Sequence, residues 1–157
     1  MKDWTHATLD DIIDFAIRIE EESFAFYARA AGDQAGIALP EIVKLLKILA
    51  LEEQNHADIL LRKKQEWKLG AQPRPEVGRH VQRIVDLPAL TPDAGLGDIL
   101  MAAIARENST AALYRSLMSL SDFGDLQEIF VELAAQEEGH ERRLRSFHKS
   151  LYPTSQE

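Results

Sequence analysis

The sequence of 157 residues contains no cysteine. This absence excludes disulfides, zinc ribbons, iron–sulfur clusters and thiol nucleophiles, and it leaves the redox compartment undetermined. Any metal ion bound by the chain must therefore be held by histidine and carboxylate side chains.

A membrane-spanning run and a basic surface are also missing. No stretch approaches the roughly 20 apolar residues that a transmembrane helix needs, and Met1 to Asp10 lacks the pattern of a signal peptide. The chain carries 26 acidic and 18 basic residues, and its net charge of −8 disfavours nucleic acids and anionic membranes as partners. With 45% hydrophobic residues, 8 Gly and 6 Pro, the composition predicts one globular, soluble, cytoplasmic domain covering residues 1–157.

Four segments show the spacing of apolar residues that is typical of amphipathic helices. Thr8 and Asp11 resemble a capping box that opens the first helix, and Gly32 is expected to end it. Pro40 favours the first turn of the second helix, and Asp125 is the expected cap of the fourth. The predicted helices span about residues 9–31, 40–69, 98–121 and 125–152.

Residues 70–97 form the one long connection between these helices. This segment contains four prolines and a short apolar patch at Val81, Ile84 and Val85, so we expect a helical turn or two within it. The other joints are short, which predicts two antiparallel helical hairpins. A crossover extending at about 3.3 Å per residue can return along a helix about 36 Å long, so the sequence predicts an all-α, antiparallel four-helix bundle.

Polar residues interrupt the apolar stripe of each helix near its midpoint. On their apolar stripes, the first and third helices carry one glutamate each near the midpoint. The stripes of the second and fourth helices each carry a glutamate and a histidine at positions i and i+3. Glu107 follows Glu20 by 87 residues, and the second Glu-x-x-His pair follows the first by 84 residues. The matched order indicates a duplicated helical hairpin. These six residues are Glu20, Glu53, His56, Glu107, Glu137 and His140.

A two-metal site is the simplest way to bury these groups together. Isolated carboxylates cost several kcal/mol each to bury, and two divalent cations would neutralise four of them while the histidines stay neutral. Oxygen and imidazole ligands suit iron or manganese, with zinc as a tolerated substitute. A polar network satisfied by hydrogen bonds is the alternative.

Several neighbouring residues have less specific patterns. Tyr27 and Tyr114 lie two turns beyond the glutamates of their helices, where each either packs in the core or donates a hydrogen bond to a ligand carboxylate. Glu141 shares the stripe of Glu137, and a supporting or extra-ligand role is left open for it. Four further glutamates are expected to be solvated: Glu21, Glu22, Glu52 and Glu138. Three histidines are expected to lie at the surface: His6, His80 and His148. The two tryptophans, Trp4 and Trp67, are expected to be packing residues.

Four segments resemble the rubrerythrin branch of the ferritin-like superfamily: AIRIEEESFAFYARAA (16–31), LALEEQNHADIL (49–60), AIARENSTAALY (103–114) and LAAQEEGHERRL (133–144). The resemblance implies a non-haem di-iron centre with two iron ions per chain. It also implies that Glu20 and Glu107 are terminal ligands, that Glu53 and Glu137 bridge the irons, and that His56 and His140 cap one iron each.

The chain departs from that family at two points. A chain without cysteine cannot build the rubredoxin domain that rubrerythrins commonly append, so electrons would come from a separate donor protein. In typical rubrerythrins an additional glutamate follows the terminal ligand of the third helix by three residues and takes part in iron movement. Thr110 occupies that place here, and a hydroxyl cannot supply the charge.

Three functions are compatible with this pattern. The first is a di-iron oxidoreductase that reduces hydrogen peroxide or dioxygen, with the six predicted ligands, and in a supporting role Tyr27 and Tyr114, as the candidate catalytic residues. The second is a ferroxidase or iron-handling protein that takes Fe²⁺ as its substrate. The third is a non-enzymatic metal-binding assembly module. We expect a homodimer, in which exchange of helical hairpins between chains is left open.

Overall fold

The structure is a computed structural model that describes residues 2–67, 69–120 and 124–154, without the side chains of residues 124 and 125. The chain divides into two compact units, Met1–Gly78 and Arg79–Glu157. The described residues contain five α-helices and no β-strand beyond one isolated bridge between Thr8 and Pro73. None of these helices combines the length and the hydropathy needed to cross a membrane.

The first unit is built on the hairpin of α1 (Leu9–Gln34) and α2 (Pro40–Lys64), which pack against each other. The predicted capping box is present: the Thr8 hydroxyl accepts a hydrogen bond from the Asp11 backbone N–H, and the Asp11 carboxylate accepts one from the Thr8 N–H. The helix continues past Gly32, because a glycine inside a helix costs only about 1 kcal/mol. The chain turns instead at Gly36, whose φ of 78° favours glycine.

The second helix begins at Pro40, as predicted, but it ends at Lys64 rather than near Leu69. Leu60 is its last fully buried residue, and the residues from 61 to 67 are half-buried or exposed. Its last turn contains Arg62, Lys63 and Lys64, whose charges interact favourably with the helix C-terminus.

The predicted crossover contains more structure than we expected. Helix α3 (Pro75–Val85) has 11 residues, about three turns instead of one or two. Its buried hydrophobic residues are Val77, Val81 and Ile84, which share one face, and the sequence-based prediction overlooked the first of them. The 3-10 helix Trp4–His6 lies against Gly78, where an added Cβ would lie 1.9 Å from the backbone oxygen of Trp4.

The second unit contains the hairpin of α4 (Leu96–Met118) and α5 (Gly124–Leu151). Helix α4 begins two residues before the predicted Asp98 and ends three residues before Ser121, which lies outside the described residues. The side chain of Asp125, the expected cap of the fourth helix, also lies outside them. Helix α5 ends two residues before Pro153, close to the predicted position.

Candidate metal centre

Glu20, Glu53 and His56 meet in the interior of the α1–α2 hairpin, each 1% exposed or less. The His56 Nδ1 atom lies 3.5 Å from the Glu20 Oε2 atom and 3.5 Å from the Glu53 Oε2 atom. One ligand atom from each residue lies within 4.8 Å of the other two. We call this set the N-terminal half site.

The helices place these side chains through their apolar stripes. On α1 the buried Ile13, Ala16 and Ile17 precede Glu20, and this stripe packs against α2. On α2 the spacing of i and i+3 puts Glu53 and His56 on the same face. Burial of the surrounding apolar residues therefore carries the three polar groups into the interior.

Glu107, Glu137 and His140 form the same arrangement in the α4–α5 hairpin, with exposures of 1 to 2%. The His140 Nδ1 atom lies 3.5 Å from the Glu107 Oε2 atom and 3.9 Å from the Glu137 Oε2 atom. Ligand atoms of this set also lie within 4.8 Å of one another. We call it the C-terminal half site. The repeated sequence pattern thus produces the same arrangement of side chains in both hairpins.

Burial disfavours the charged form of Glu20. It raises the pKa of the Glu20 carboxyl to about 8, with further contributions from the charge of Glu53 and their hydrogen bond, while His56 opposes the shift. In the metal-free protein the raised pKa therefore favours the protonated form of Glu20 at neutral pH. A divalent cation would displace this proton, because a coordinating carboxylate must be ionised.

The donor set of each half site fits a divalent metal ion. Two carboxylates and one neutral imidazole balance the charge of one such ion, and these ligand types suit iron or manganese and accept zinc. Without compensation, buried carboxylates this close together would be costly. Each half site therefore has the chemistry, the spacing and the burial to hold one ion.

Tyr27 and Tyr114 are both fully buried. Tyr27 packs edge to face on Phe26, with ring centroids 5.3 Å apart, and Tyr114 packs on Phe130 at the same distance. The core-packing role is thus observed for both. The predicted hydrogen bond from their hydroxyls to ligand carboxylates stays a prediction.

Glu141 is part of a hydrogen-bonded network beside the C-terminal half site. Its carboxylate accepts hydrogen bonds from the Asn108 side-chain amide at 3.2 Å and from the Arg145 Nε at 2.7 Å. Asn108 directly follows Glu107, and Glu141 directly follows His140, so the network joins α4 to α5 beside two predicted ligands. The sequence analysis missed Asn108 and Arg145; their positions beside the repeated pattern were the available signal.

The other acidic neighbours lie outside both half sites. Glu21 and Glu22 are exposed, as predicted. Glu52 and Glu138 are half-buried, and Glu138 forms an ion pair with Arg115 between α5 and α4. These last two residues are thus only partly in contact with solvent.

The remaining histidines differ from one another. His6 is exposed and pairs with Asp3, whereas His80 and His148 are half-buried rather than fully at the surface. His148 stacks near Tyr152, with ring centroids 5.1 Å apart. Burial lowers the pKa of His80, and the charges of nearby arginines lower it further.

The two tryptophans have different environments. Trp4 is buried and packs edge to face on Phe15, as its predicted packing role requires. Trp67 is half-buried just beyond the end of α2.

Comparison with known proteins agrees with this geometry. The family model for rubrerythrin matches residues 98–157, a region that contains Glu107, Glu137 and His140. A crystal structure from Thermotoga maritima, described as a ferritin-like diiron-carboxylate protein, matches with a TM-score of 0.69 and 26% sequence identity. The match covers 92% of this chain and 96% of that chain. The chain is thus similar to rubrerythrins over residues 98–157, and its fold is ferritin-like.

No curated protein sequence matches the chain. The predicted all-α fold class and the predicted resemblance are confirmed by the structural match and the family match. The rubrerythrin-like pattern is matched directly in the second unit. The first unit shows the same arrangement of one glutamate and a Glu-x-x-His pair, in which Glu20 and Glu53 lie beside His56.

Proposed function

We propose that this chain is a non-haem di-iron protein in which the two half sites converge on one pair of iron ions. The observation that carries the proposal is the pair of buried Glu, Glu and His sets, repeated in both hairpins of a rubrerythrin-like chain. Following the resemblance, Glu53 and Glu137 would bridge the ions. Glu20 and Glu107 would be terminal ligands, with one histidine capping each ion.

We propose further that the protein is an oxidoreductase for hydrogen peroxide or dioxygen. When bound, two Fe²⁺ ions supply one electron each, which together with two protons reduce one hydrogen peroxide to two waters. The four carboxylates hold the ions in a dry interior, and the imidazoles remain neutral ligands. Glu20 releases its proton when an ion binds, because its carboxyl is protonated at neutral pH in the metal-free state. Electrons for further cycles come from a donor outside these 157 residues, since they contain no cysteine for a rubredoxin site.

Anaerobic reconstitution tests the oxidoreductase proposal. The protein is loaded with Fe²⁺ without oxygen and mixed separately with peroxide and with air-saturated buffer. The proposal predicts a metal-centred absorbance change with at least one oxidant. The double variant Glu53→Ala/Glu137→Ala, which lacks one carboxylate in each half site, should show none. Absence of any change in the wild-type protein with both oxidants would remove the proposal.

Thr110 favours iron handling as the second candidate function. It is 4% exposed on α4, three residues after Glu107, and its neutral hydroxyl cannot follow a change in iron charge as a glutamate can. Such a site would oxidise Fe²⁺ and pass it on. This function predicts Fe²⁺ oxidation that continues beyond two ions per chain, whereas a strict stop at two ions contradicts it. A tightly bound, redox-inert metal would instead favour the assembly module.

The proposed cellular context is a cytoplasmic homodimer, in which two chains either associate as closed units or exchange hairpins. Ferritin-like relatives of this kind are often dimers, and residues 65–95 give a connection long enough for exchange. Light scattering coupled to size exclusion measures the mass directly. A mass of one chain, 17.7 kDa, at all concentrations would contradict the dimer.

A further inference from the structure

The two hairpins differ beside their half sites. In the second unit, the Glu141 network of Asn108, Glu141 and Arg145 joins α4 to α5. The Glu141 side chain is 16% exposed and the Arg145 side chain is 57% exposed, so the network lies at the solvent-facing edge of the hairpin. Hydrogen bonds to an ionised carboxylate are stronger than neutral ones. This network therefore holds the two helices together next to Glu107 and His140.

Among the described residues of the first unit, the positions equivalent to this network cannot form it. By the offsets that relate the half sites, the counterparts of Asn108, Glu141 and Arg145 are Glu21, Ala57 and Leu61. A methyl group at Ala57 cannot accept hydrogen bonds, so the equivalent connection cannot form. A cavity of about 140 Å³ is found there, lined by Glu21, Phe24, Gln54, Ala57, Asp58 and Leu61.

The position of the cavity relates it to the N-terminal half site. Phe24 follows Glu20 by four residues, and Ala57 follows Glu53 by four residues. Each pair lies on one helix face about one turn, or 5.4 Å, apart. Ala57 is 5% exposed at the inner end, whereas Leu61 is 50% exposed at the outer end. The cavity thus lies between α1 and α2, about one helical turn along each helix from Glu20 and Glu53.

The size and lining of the cavity suit a hydrated cation. At about 30 Å³ per water, it has room for roughly four or five water molecules. Two of its lining residues, Glu21 and Asp58, are acidic, and none is basic. At the positions equivalent to Asp58 and Leu61, the second hairpin carries Arg142 and Arg145. The face of the second hairpin therefore carries basic side chains that the face of the first hairpin lacks.

We propose that the two half sites exchange metal at different rates. A hydrated divalent cation enters and leaves through the cavity beside Ala57, whereas the Glu141 network closes the corresponding route and retains the ion of the C-terminal half site. This inference rests on the proposed two-metal function. Since opening the network requires breaking the charge-assisted hydrogen bond between Asn108 and Glu141, we expect release from the N-terminal half site to be about 10-fold faster.

Metal release kinetics test this inference without any catalytic assay. The full chain is loaded with Co²⁺ to saturation and mixed with an excess of a chromogenic chelator, and the colour change is followed over time. The expected result is two phases, each with an amplitude of one ion per chain. A single phase that contains both ions would overturn the inference.

Two variants assign the phases to the half sites. Ala57→Leu fills the cavity and should slow the fast phase at least tenfold without changing the slow phase. Glu141→Ala removes the network and should accelerate the slow phase about tenfold without changing the fast one. Glu132→Gln, an exposed change on α5 with the same change of charge as Glu141→Ala, is the matched control and should leave both phases unchanged.

Further variants keep the test decisive if one of these proteins folds poorly. Phe24→Ala enlarges the cavity and should accelerate the fast phase, opposite to Ala57→Leu. Glu141→Gln keeps an oxygen that accepts from Asn108 and should restore part of the slow release. Two bound ions with rates that none of the four variants changes would overturn the inference and leave the proposed function intact. A wild-type chain that binds no metal at equilibrium would overturn both.

Discussion

Replacing Glu20 by glutamine should change how the stability of the metal-free protein depends on pH. Burial raises the pKa of this carboxyl from 4.5 to about 8. A group with a raised folded-state pKa contributes full stability below its unfolded pKa, and this contribution is lost as the pH rises through the folded pKa. At 1.36 kcal/mol per pKa unit, the difference corresponds to about 5 kcal/mol between pH 4.5 and 8.

Urea unfolding of the metal-free protein at several pH values between 5 and 9 measures this loss. The wild-type protein should lose up to about 5 kcal/mol of unfolding free energy relative to Glu20→Gln across this range. Subtracting the unfolding free energies of the two proteins cancels the contributions of other titrating groups. Burial lowers the pKa of His80. Its titration therefore raises the free energy of unfolding as the pH rises towards the ordinary value of 6.5, which is opposite to the effect of Glu20. Asp3 and Asp11, whose pKa values are lowered by hydrogen bonds, stay ionised above about pH 5.

The control is Glu22→Gln, which neutralises an exposed glutamate on the same helix. This variant should follow the wild-type pH dependence to within about 0.5 kcal/mol, as expected for a surface substitution. A wild-type stability that stays level or increases relative to Glu20→Gln from pH 5 to 8 would refute the reasoning about burial.

Three further predictions concern the metal, its ligands and the fold. Saturating Co²⁺ should raise the melting temperature more at pH 8 than at pH 6, since binding releases a proton from the protein; an equal rise at both pH values would contradict this. Glu53→Ala/Glu137→Ala should lose both ions and keep its helical circular dichroism, whereas retention of both ions would show that the ligand assignment is wrong. Gly78→Ala should lower the free energy of unfolding by about 1 to 3 kcal/mol, because its Cβ would overlap the Trp4 backbone oxygen. Gly32→Ala meets open space within a helix and should raise the free energy of unfolding by up to about 1 kcal/mol. Urea unfolding checks both variants, and equal effects would contradict the packing described.

The composition of each half site could be predicted from the sequence because the polar residues interrupt otherwise apolar stripes. A glutamate in the middle of such a stripe either is buried or breaks the helix packing, and the repeat made burial the simpler interpretation. The structure places Glu20, Glu53 and His56 together as expected, and it does the same for their counterparts in the second hairpin.

The helix ends were less predictable because they depend on tertiary contacts. Gly32 looked like a stop signal, yet the helix passes through it and the chain turns at Gly36. The three turns of α3 are stabilised by burial of Val77 and its neighbours, and a segment with four prolines gives little periodic signal of its own. Local propensity is outweighed by packing in both cases.

The Glu141 network could not be predicted because it joins residues from two helices. The sequence left a supporting or extra-ligand role open for Glu141, and only the structure shows its contacts with Asn108 and Arg145. The cavity beside Ala57 was equally hidden, since a small residue on a buried stripe usually indicates close helix packing.

The iron content of protein purified without oxygen tests the central claim most directly. Elemental analysis should find two iron ions per chain in the wild-type protein, because six buried side chains supply two matched sets of ligands. A protein that contains no metal, and that takes up none when Fe²⁺ is added anaerobically, would contradict the account.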